Sequence, residues 1–184
     1  MPSRVGVFCG SQSGGDARYI EAAILTATVL VERGMGVVYG GGRVGLMGVL
    51  ADTALAAGGE VIGVIPQALS GREIAHDGLT ELHVVDSMHE RKALMADLSD
   101  AFIALPGGYG TMDEFCEILT WAQLRIHNKP VGLLNAFGYY DDLIALFDHM
   151  VREGFVTPRN RMLIASAESP GELLDLLLAS GQRK

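Results

Sequence analysis

The sequence predicts an α/β protein built on a doubly wound, mostly parallel sheet, and three observations carry that prediction. Short apolar runs alternate with longer helix-period segments almost without interruption along the chain. Three glycine-rich turns each follow one of the apolar runs, the position where open parallel sheets bind ligands. The run over 101–105 is apolar at every position, as a strand covered by helices on both faces must be.

Residues 4–9 read as the first strand and 17–33 as a helix that Gly34 ends, glycine being the residue that closes a helix at least cost. A strand over 36–39 leads to a helix over 44–57, stopped by Gly58 and Gly59. The next strand, 60–65, meets Pro66, which has no ladder N–H. After a polar loop through His76 come a strand over 81–85, a helix over 88–98 and the 101–105 strand, ended by Pro106. The pattern then predicts a helix over 112–127 opened by Thr111, a strand over 131–135, a helix over 140–153, a strand near 162–165 and a helix over 171–179. Repeated units of this length connect through right-handed crossovers, which makes the expected architecture a single Rossmann-like domain over 1–184.

Composition narrows the functional classes. At 184 residues and 49% apolar content the chain can bury one continuous core. Its net charge of −8, with lysine only at 92, 129 and 184, gives no basic footprint for nucleic acid or an anionic membrane. Two cysteines, Cys9 and Cys116, cannot make a disulfide framework; both are expected to be small buried apolar residues. The start of the chain has no signal-peptide pattern, and the apolar helix near 20–31 is shorter than the ~20 residues a bilayer requires. A cytoplasmic protein is expected.

Gly107, Gly108 and Gly110 stand between the 101–105 strand and the next helix, where positive φ and close backbone approach suit an anion facing first-turn amides. The turn at Gly40, Gly42 and Gly45 fits Gly-x-Gly-x-x-Gly, so a dinucleotide must be weighed. The fingerprint is incomplete: its acidic ribose ligand belongs at the end of the next strand, whereas Glu60 stands at the beginning of one. A Walker-type Gly-x-x-x-x-Gly-Lys-Ser/Thr is absent.

Asp86-Ser87-Met88-His89-Glu90-Arg91-Lys92 lies at another strand-to-helix junction. Arg91 brings a planar fork suited to phosphate or carboxylate, and Lys92 a second cation in a chain with few. Ser87 with Glu90, and Thr111 with Glu114, also fit capping boxes, each worth about 0.5–2 kcal/mol without any further role. A carboxylate beside an anion-binding turn is costly unless a cation intervenes, and Arg91 is the candidate for that cation.

Leu105-Pro106-Gly107-Gly108-Tyr109-Gly110-Thr111-Met112-Asp113-Glu114 and Ser87-Met88-His89-Glu90-Arg91-Lys92 together resemble the paired signatures of the Lonely Guy (LOG) family. Phe8-Cys9-Gly10-Ser11, Tyr39-Gly40-Gly41-Gly42, Gly45-Leu46-Met47-Gly48 and Thr120-Trp121-Ala122-Gln123-Leu124 extend the resemblance over nearly the whole chain. It implies a phosphoribohydrolase that cleaves the N-glycosidic bond of cytokinin riboside 5'-monophosphates or AMP, releasing free base and ribose 5-phosphate. Position by position, it implies Arg91 and Glu114 as the catalytic pair, with Gly108, Tyr109, Gly110 and Thr111 at the phosphate and Gly107 also against the substrate. Glu73, Met88, Lys92, Asp113 and Thr120 would also contact substrate. In the loop carrying Glu73, Ser70-Gly71-Arg72 stands where many relatives have proline before the arginine. The resemblance further implies a homodimer with each site bordered by both subunits, and no cofactor. Trp121, Leu124 and Ile118 are expected in the core or at a subunit contact.

These residue types suit that chemistry, because departure of the base builds positive charge on the ribose and a carboxylate then stabilises the transition state more than the ground state. The five histidines have no metal-ligand spacing, and His89 alone is retained as a candidate acid near the leaving base. Two other functions compete. A pyridoxal phosphate decarboxylase, the older label for such proteins, needs a Schiff-base lysine, and three lysines make it a poor fit. A non-catalytic carrier of nucleotide or molybdenum cofactor would share the fold and glycine turns, but could lose either Arg91 or Glu114.

Overall fold

The computed structural model describes residues 3–70 and 75–181. Seven strands, β1 (Arg4–Phe8), β2 (Gly36–Tyr39), β3 (Val61–Pro66), β4 (Glu81–Val85), β5 (Ala101–Ala104), β6 (Val131–Leu134) and β7 (Ile164–Ala167), form one sheet. Their order is β4-β3-β2-β1-β5-β6-β7, and every neighbouring pair is parallel. The chain winds outward from β1 in one direction, then returns to β5 on its other side and winds the opposite way. The switch point between β1 and β5 is where such sheets open a crevice at the carboxyl ends of the strands.

Strand periodicity divides the core. On β1 and just past it, Val5, Val7 and Cys9 face one cluster and Phe8 the other; on β5 and just past it, Ile103 and Leu105 oppose Phe102 and Ala104. Helices α1 (Arg18–Glu32), α2 (Gly45–Ala56) and α8 (Pro170–Gly181) contribute to the first cluster. Helices α4 (Met88–Leu98), α5 (Tyr109–Gln123) and α6 (Asp141–Arg152) contribute to the second, through Met95, Phe115, Ile118 and Phe147. Each fully buried Leu, Ile or Phe here contributes about 1.5–3 kcal/mol.

Expected and observed elements differ at informative places. Helix α5 starts three residues before position 112, because Gly108, rather than Thr111, is its N-cap. It stops at Gln123, short of 127, in a Schellman closure: the Ile126 amide donates to the Trp121 carbonyl and the Arg125 amide to that of Ala122, with Arg125 at φ 62°. Two short helices, α3 (Gln67–Ser70) and α7 (Pro158–Arg161), were absent from the expected pattern. Thr157 caps α7 by accepting from the Asn160 amide, ahead of Pro158 at the first helical position, and β7 consequently begins at Ile164 rather than 162.

Candidate active site at the switch point

The site begins where β1 and β5 end. The Leu105 amide donates to the Phe8 carbonyl, and the Gly10 amide donates to the Pro106 carbonyl at 3.2 Å, so the first glycine turn is tied to the Pro106 turn. Gly107 allows this closeness: a β-carbon there would lie 2.9 Å from the Gly10 nitrogen and collide with the Thr111 hydroxyl. Gly108 and Gly110 do something else, leaving open space, with no atom within 4 Å of an added β-carbon. None of these three has positive φ, contrary to expectation; in the site's turns that conformation falls to Gly14, Gly41 and Gly45.

Because Gly108 is the N-cap and has no side chain, the expected Thr111–Glu114 capping box does not form. Thr111 is instead buried in the first turn. Among the described residues, the backbone amides of Gly108, Tyr109, Gly110 and Thr111 have no main-chain acceptor. Four such donors at the positive end of a fifteen-residue helix are what an anion would need there.

Arg91 comes from the first turn of α4, whose start is fixed by a reciprocal cap. The Glu90 amide donates to the Ser87 hydroxyl at 3.1 Å, and the Asp86 amide donates to the Glu90 carboxylate at 2.9 Å. The Arg91 side chain runs inward and is 6% exposed. Its Nε donates to the Val64 carbonyl at 3.0 Å, its Nη2 donates to the Gly40 carbonyl at 3.3 Å, and Nη2 also stands 3.5 Å from Glu114 Oε1. Nη1 meets the Met88 sulfur at 3.9 Å, a weak acceptor, so this edge of the fork retains capacity for a ligand oxygen. Glu114, on the second turn of α5, is buried, at 9% exposure. The opposed charges attract by roughly 5 kcal/mol gross at an effective dielectric of ~20, much of it offset by desolvation.

The second glycine turn serves this pair. A β-carbon on Gly40 would collide with the Arg91 guanidinium, and one on Gly45 with the Ser11 backbone. Its glycines accommodate protein groups. Glu60, the acid a dinucleotide would require, is held by Arg4 at 2.8 and 2.9 Å at the amino end of β3, the wrong end of the sheet.

Lys92 is drawn to Asp113 at 2.9 Å and Glu117 at 3.0 Å, which ties α4 to α5. Burial works against its charge, but the bonds from Asp113 and Glu117 outweigh burial and raise its pKa. Tyr109 is 97% exposed beside the open turn. The Thr120 hydroxyl donates back to the Cys116 carbonyl at 2.7 Å, two turns from the amides. Glu73 lies outside the described residues; just after it, Ala75 pairs with Gly42 and the His76 amide donates to the Gly41 carbonyl. His89 is exposed on the first turn of α4.

Cys9 is buried, and its thiol pKa is driven upward by burial first and by Glu114 second. Cys116 is exposed, against expectation, because α5 turns that side away from the sheet. Ile118 is core and Leu124 is exposed. Sequence reasoning missed the carbonyls that hold Arg91 and a pair of tyrosines, Tyr139 and Tyr140, that reach the Pro106 turn from beyond β6. Their signal was positional, since they follow a strand whose carboxyl end faces the same crevice.

Comparison with known proteins identifies relatives in sequence and in fold. The family described as "Possible lysine decarboxylase" matches residues 47–177. A probable cytokinin riboside 5'-monophosphate phosphoribohydrolase of Oryza sativa subsp. japonica is 55% identical over 93% of this chain and 70% of its own length. A cytokinin riboside 5'-monophosphate phosphoribohydrolase of Arabidopsis thaliana is 52% identical over 95% of this chain and 82% of its own. Among solved structures, the molybdenum cofactor binding protein of Rippkaea orientalis superposes with a TM-score of 0.72 at 23% identity, covering 96% of this chain and 95% of that one. The molybdenum cofactor carrier protein of Chlamydomonas reinhardtii gives 0.69 at 22%, covering 96% and 98%. The structural neighbours share the fold, and the sequence relatives, more than half identical over most of the chain, show that it belongs to the LOG family, within the group described as possible lysine decarboxylases.

Proposed function

We propose that the crevice hydrolyses the N-glycosidic bond of cytokinin riboside 5'-monophosphates or AMP, with Arg91 and Glu114 as the catalytic residues. The observation that carries this reading is a buried Arg91–Glu114 pair, 3.5 Å apart, formed between α4 and α5, with Glu114 one turn beyond four amides that, among the described residues, have no main-chain acceptor. The amides of Gly108, Tyr109, Gly110 and Thr111 would hold the 5'-phosphate, with Gly107 giving the turn its closeness. A phosphate fixed there sets C1' relative to the carboxylate and converts remote binding energy into orientation.

In the reaction water adds to C1', the bond from C1' to the base nitrogen breaks, and its electron pair leaves with the base, which takes up a proton. Ribose C1' becomes cationic before the new C–O bond is complete, and Glu114 offsets that charge and orients the water. Arg91 contacts phosphate or ribose through its open edge and holds Glu114 in place. Met88, which touches Arg91, and Lys92 with Asp113 line the same helix starts. Glu73 and Thr120 complete the contacts that the family resemblance implies.

Decarboxylation of lysine fits these residues poorly. A Schiff base forms from a neutral amine, yet Lys92 is kept charged by two carboxylates, and the Lys129 ammonium donates to the Ala96 carbonyl at 2.7 Å. A carrier role is supported by the names of the structural neighbours at 22–23% identity; relatives above 50% identity are named as enzymes. The same reading takes the protein as a cytoplasmic homodimer. Leu124 and Ile126, 62% and 65% exposed just beyond α5, support a subunit contact, and among the described residues no helix is long and apolar enough to cross a membrane.

Substrate range tests the proposal. Incubation with AMP and isopentenyladenosine 5'-monophosphate, followed by chromatography, should show free base and ribose 5-phosphate in equal amounts. Nucleotide binding without release of base from either would favour the carrier.

A further inference from the structure

In the strand-to-helix turn of the site, four successive carbonyls are each held by a donor, three of them from other parts of the chain. The Tyr140 hydroxyl donates to the Leu105 carbonyl, the Gly10 amide to that of Pro106, the Tyr139 hydroxyl to that of Gly107, and the Met112 amide to that of Gly108. An anion site must keep carbonyl oxygens, which carry negative partial charge, off the ligand. The peptide plane links the two halves of this requirement: C=O and the following N–H point in opposite directions across a trans peptide, so holding the Gly107 carbonyl on one side directs the Gly108 amide to the other. Three of the four donors are main-chain or fully buried. The Tyr139 hydroxyl is the exception, reaching Gly107 at 2.6 Å from a residue that is 41% exposed.

The surroundings of Tyr139 fix its ring. It packs edge-on against Tyr140 at 4.8 Å and Tyr19 at 5.6 Å between ring centroids. Tyr19 also backs Gly14 of the first glycine turn, where an added β-carbon would lie 2.9 Å from the ring. Phe137, in the same loop as Tyr139, has φ 58° and lies under the Arg18 guanidinium at 4.5 Å. A non-glycine residue in that region is strained and persists where its neighbours hold it.

We infer that Tyr139 is a positioning residue: its hydroxyl fixes the Gly107–Gly108 peptide so that the Gly108 amide, and the helix start behind it, present donors to an anionic phosphate. This rests on the phosphate reading of the turn. Tyr139 touches no reacting atom, so its contribution acts through the phosphate and is blind to the base.

Tyr139→Phe keeps the ring contacts and removes only the hydroxyl. The measurement is steady-state kinetics of the wild type and Tyr139→Phe with AMP and with adenosine, alongside calorimetric titration of ribose 5-phosphate and thermal unfolding of both proteins. The expected result is a KM for AMP and a Kd for ribose 5-phosphate weakened about 3- to 10-fold, the range of one hydrogen bond, with kcat changed less and adenosine turnover unchanged. Equal loss on AMP and adenosine would mean a merely structural role and overturn the inference; so would unchanged KM and Kd. Failure of the wild type to release base would count against the hydrolase instead, while the ribose 5-phosphate titration would still decide the role of Tyr139.

Discussion

Arg91 Nη2 stands 3.5 Å from Glu114 Oε1 while the same guanidinium spends two further donors on the carbonyls of Gly40 and Val64. The pair therefore holds a fixed geometry between α4 and α5, with a planar fork joining three elements. Lysine has one charged point and no fork. Arg91→Lys should keep the fold but lose at least about 10² in kcat/KM, because one ammonium cannot serve the two carbonyls, the carboxylate and the substrate together. Steady-state kinetics beside an unchanged circular dichroism spectrum would check it.

Gly40 makes no side-chain contact with substrate in this account, yet it leaves the room that Arg91 occupies. Gly40→Ala should displace the guanidinium and lower activity toward that of Arg91→Lys, with a stability loss of about 1–3 kcal/mol from overpacking. Chemical denaturation and kinetics together measure both. Intact activity would show that Arg91 need not lie where it does.

The anion site predicts dependence on phosphate. Adenosine, lacking the 5'-phosphate, should be cleaved with kcat/KM lower by about 10² or more than AMP, since nothing then orients C1' against Glu114. Ribose 5-phosphate should compete with AMP, and inhibition kinetics would measure it.

How much of this was legible in sequence follows from where the information lies. Strand identities and the Arg91–Glu114 pairing were readable, since apolar runs and strand-end motifs are local and the sheet brings all strand ends to one edge. Tyr139 and Tyr140 were passed over because a tyrosine after a strand has no motif; their meaning is a contact across 32 and 35 residues of chain. The start of α5 was misplaced for a local reason: Thr111 resembles a cap, but with Gly108 three residues earlier the turn can enter the helix without one. The glycines of the second turn looked like a nucleotide fingerprint because glycine reports close approach without saying what approaches. Here it is Arg91.

His127 makes stability sensitive to acid. Its Nδ1 accepts from the Lys129 amide at 3.1 Å, so the ring proton sits on Nε2 and is donated to the Ile118 carbonyl at 2.9 Å. Burial first, with the Lys129 charge adding to it, holds its pKa below the usual 6.5 despite the bond to Ile118. The folded pKa being depressed, this contribution to stability is complete above about pH 6.5 and declines as pH falls from there through the folded value. His127→Asn should be less stable at pH 7 but flatter between pH 7 and pH 5 than wild type, as measured by urea unfolding at each pH.

The role of the Glu114 carboxylate in the chemistry is tested by product release from Glu114→Gln, a substitution that keeps size and removes the charge. With AMP at saturation and nucleotide binding verified by calorimetry, release of free adenine and ribose 5-phosphate should fall by a factor of about 10² or more relative to wild type. Release at the wild-type rate from a folded, nucleotide-binding Glu114→Gln would contradict it and remove the carboxylate from the chemistry.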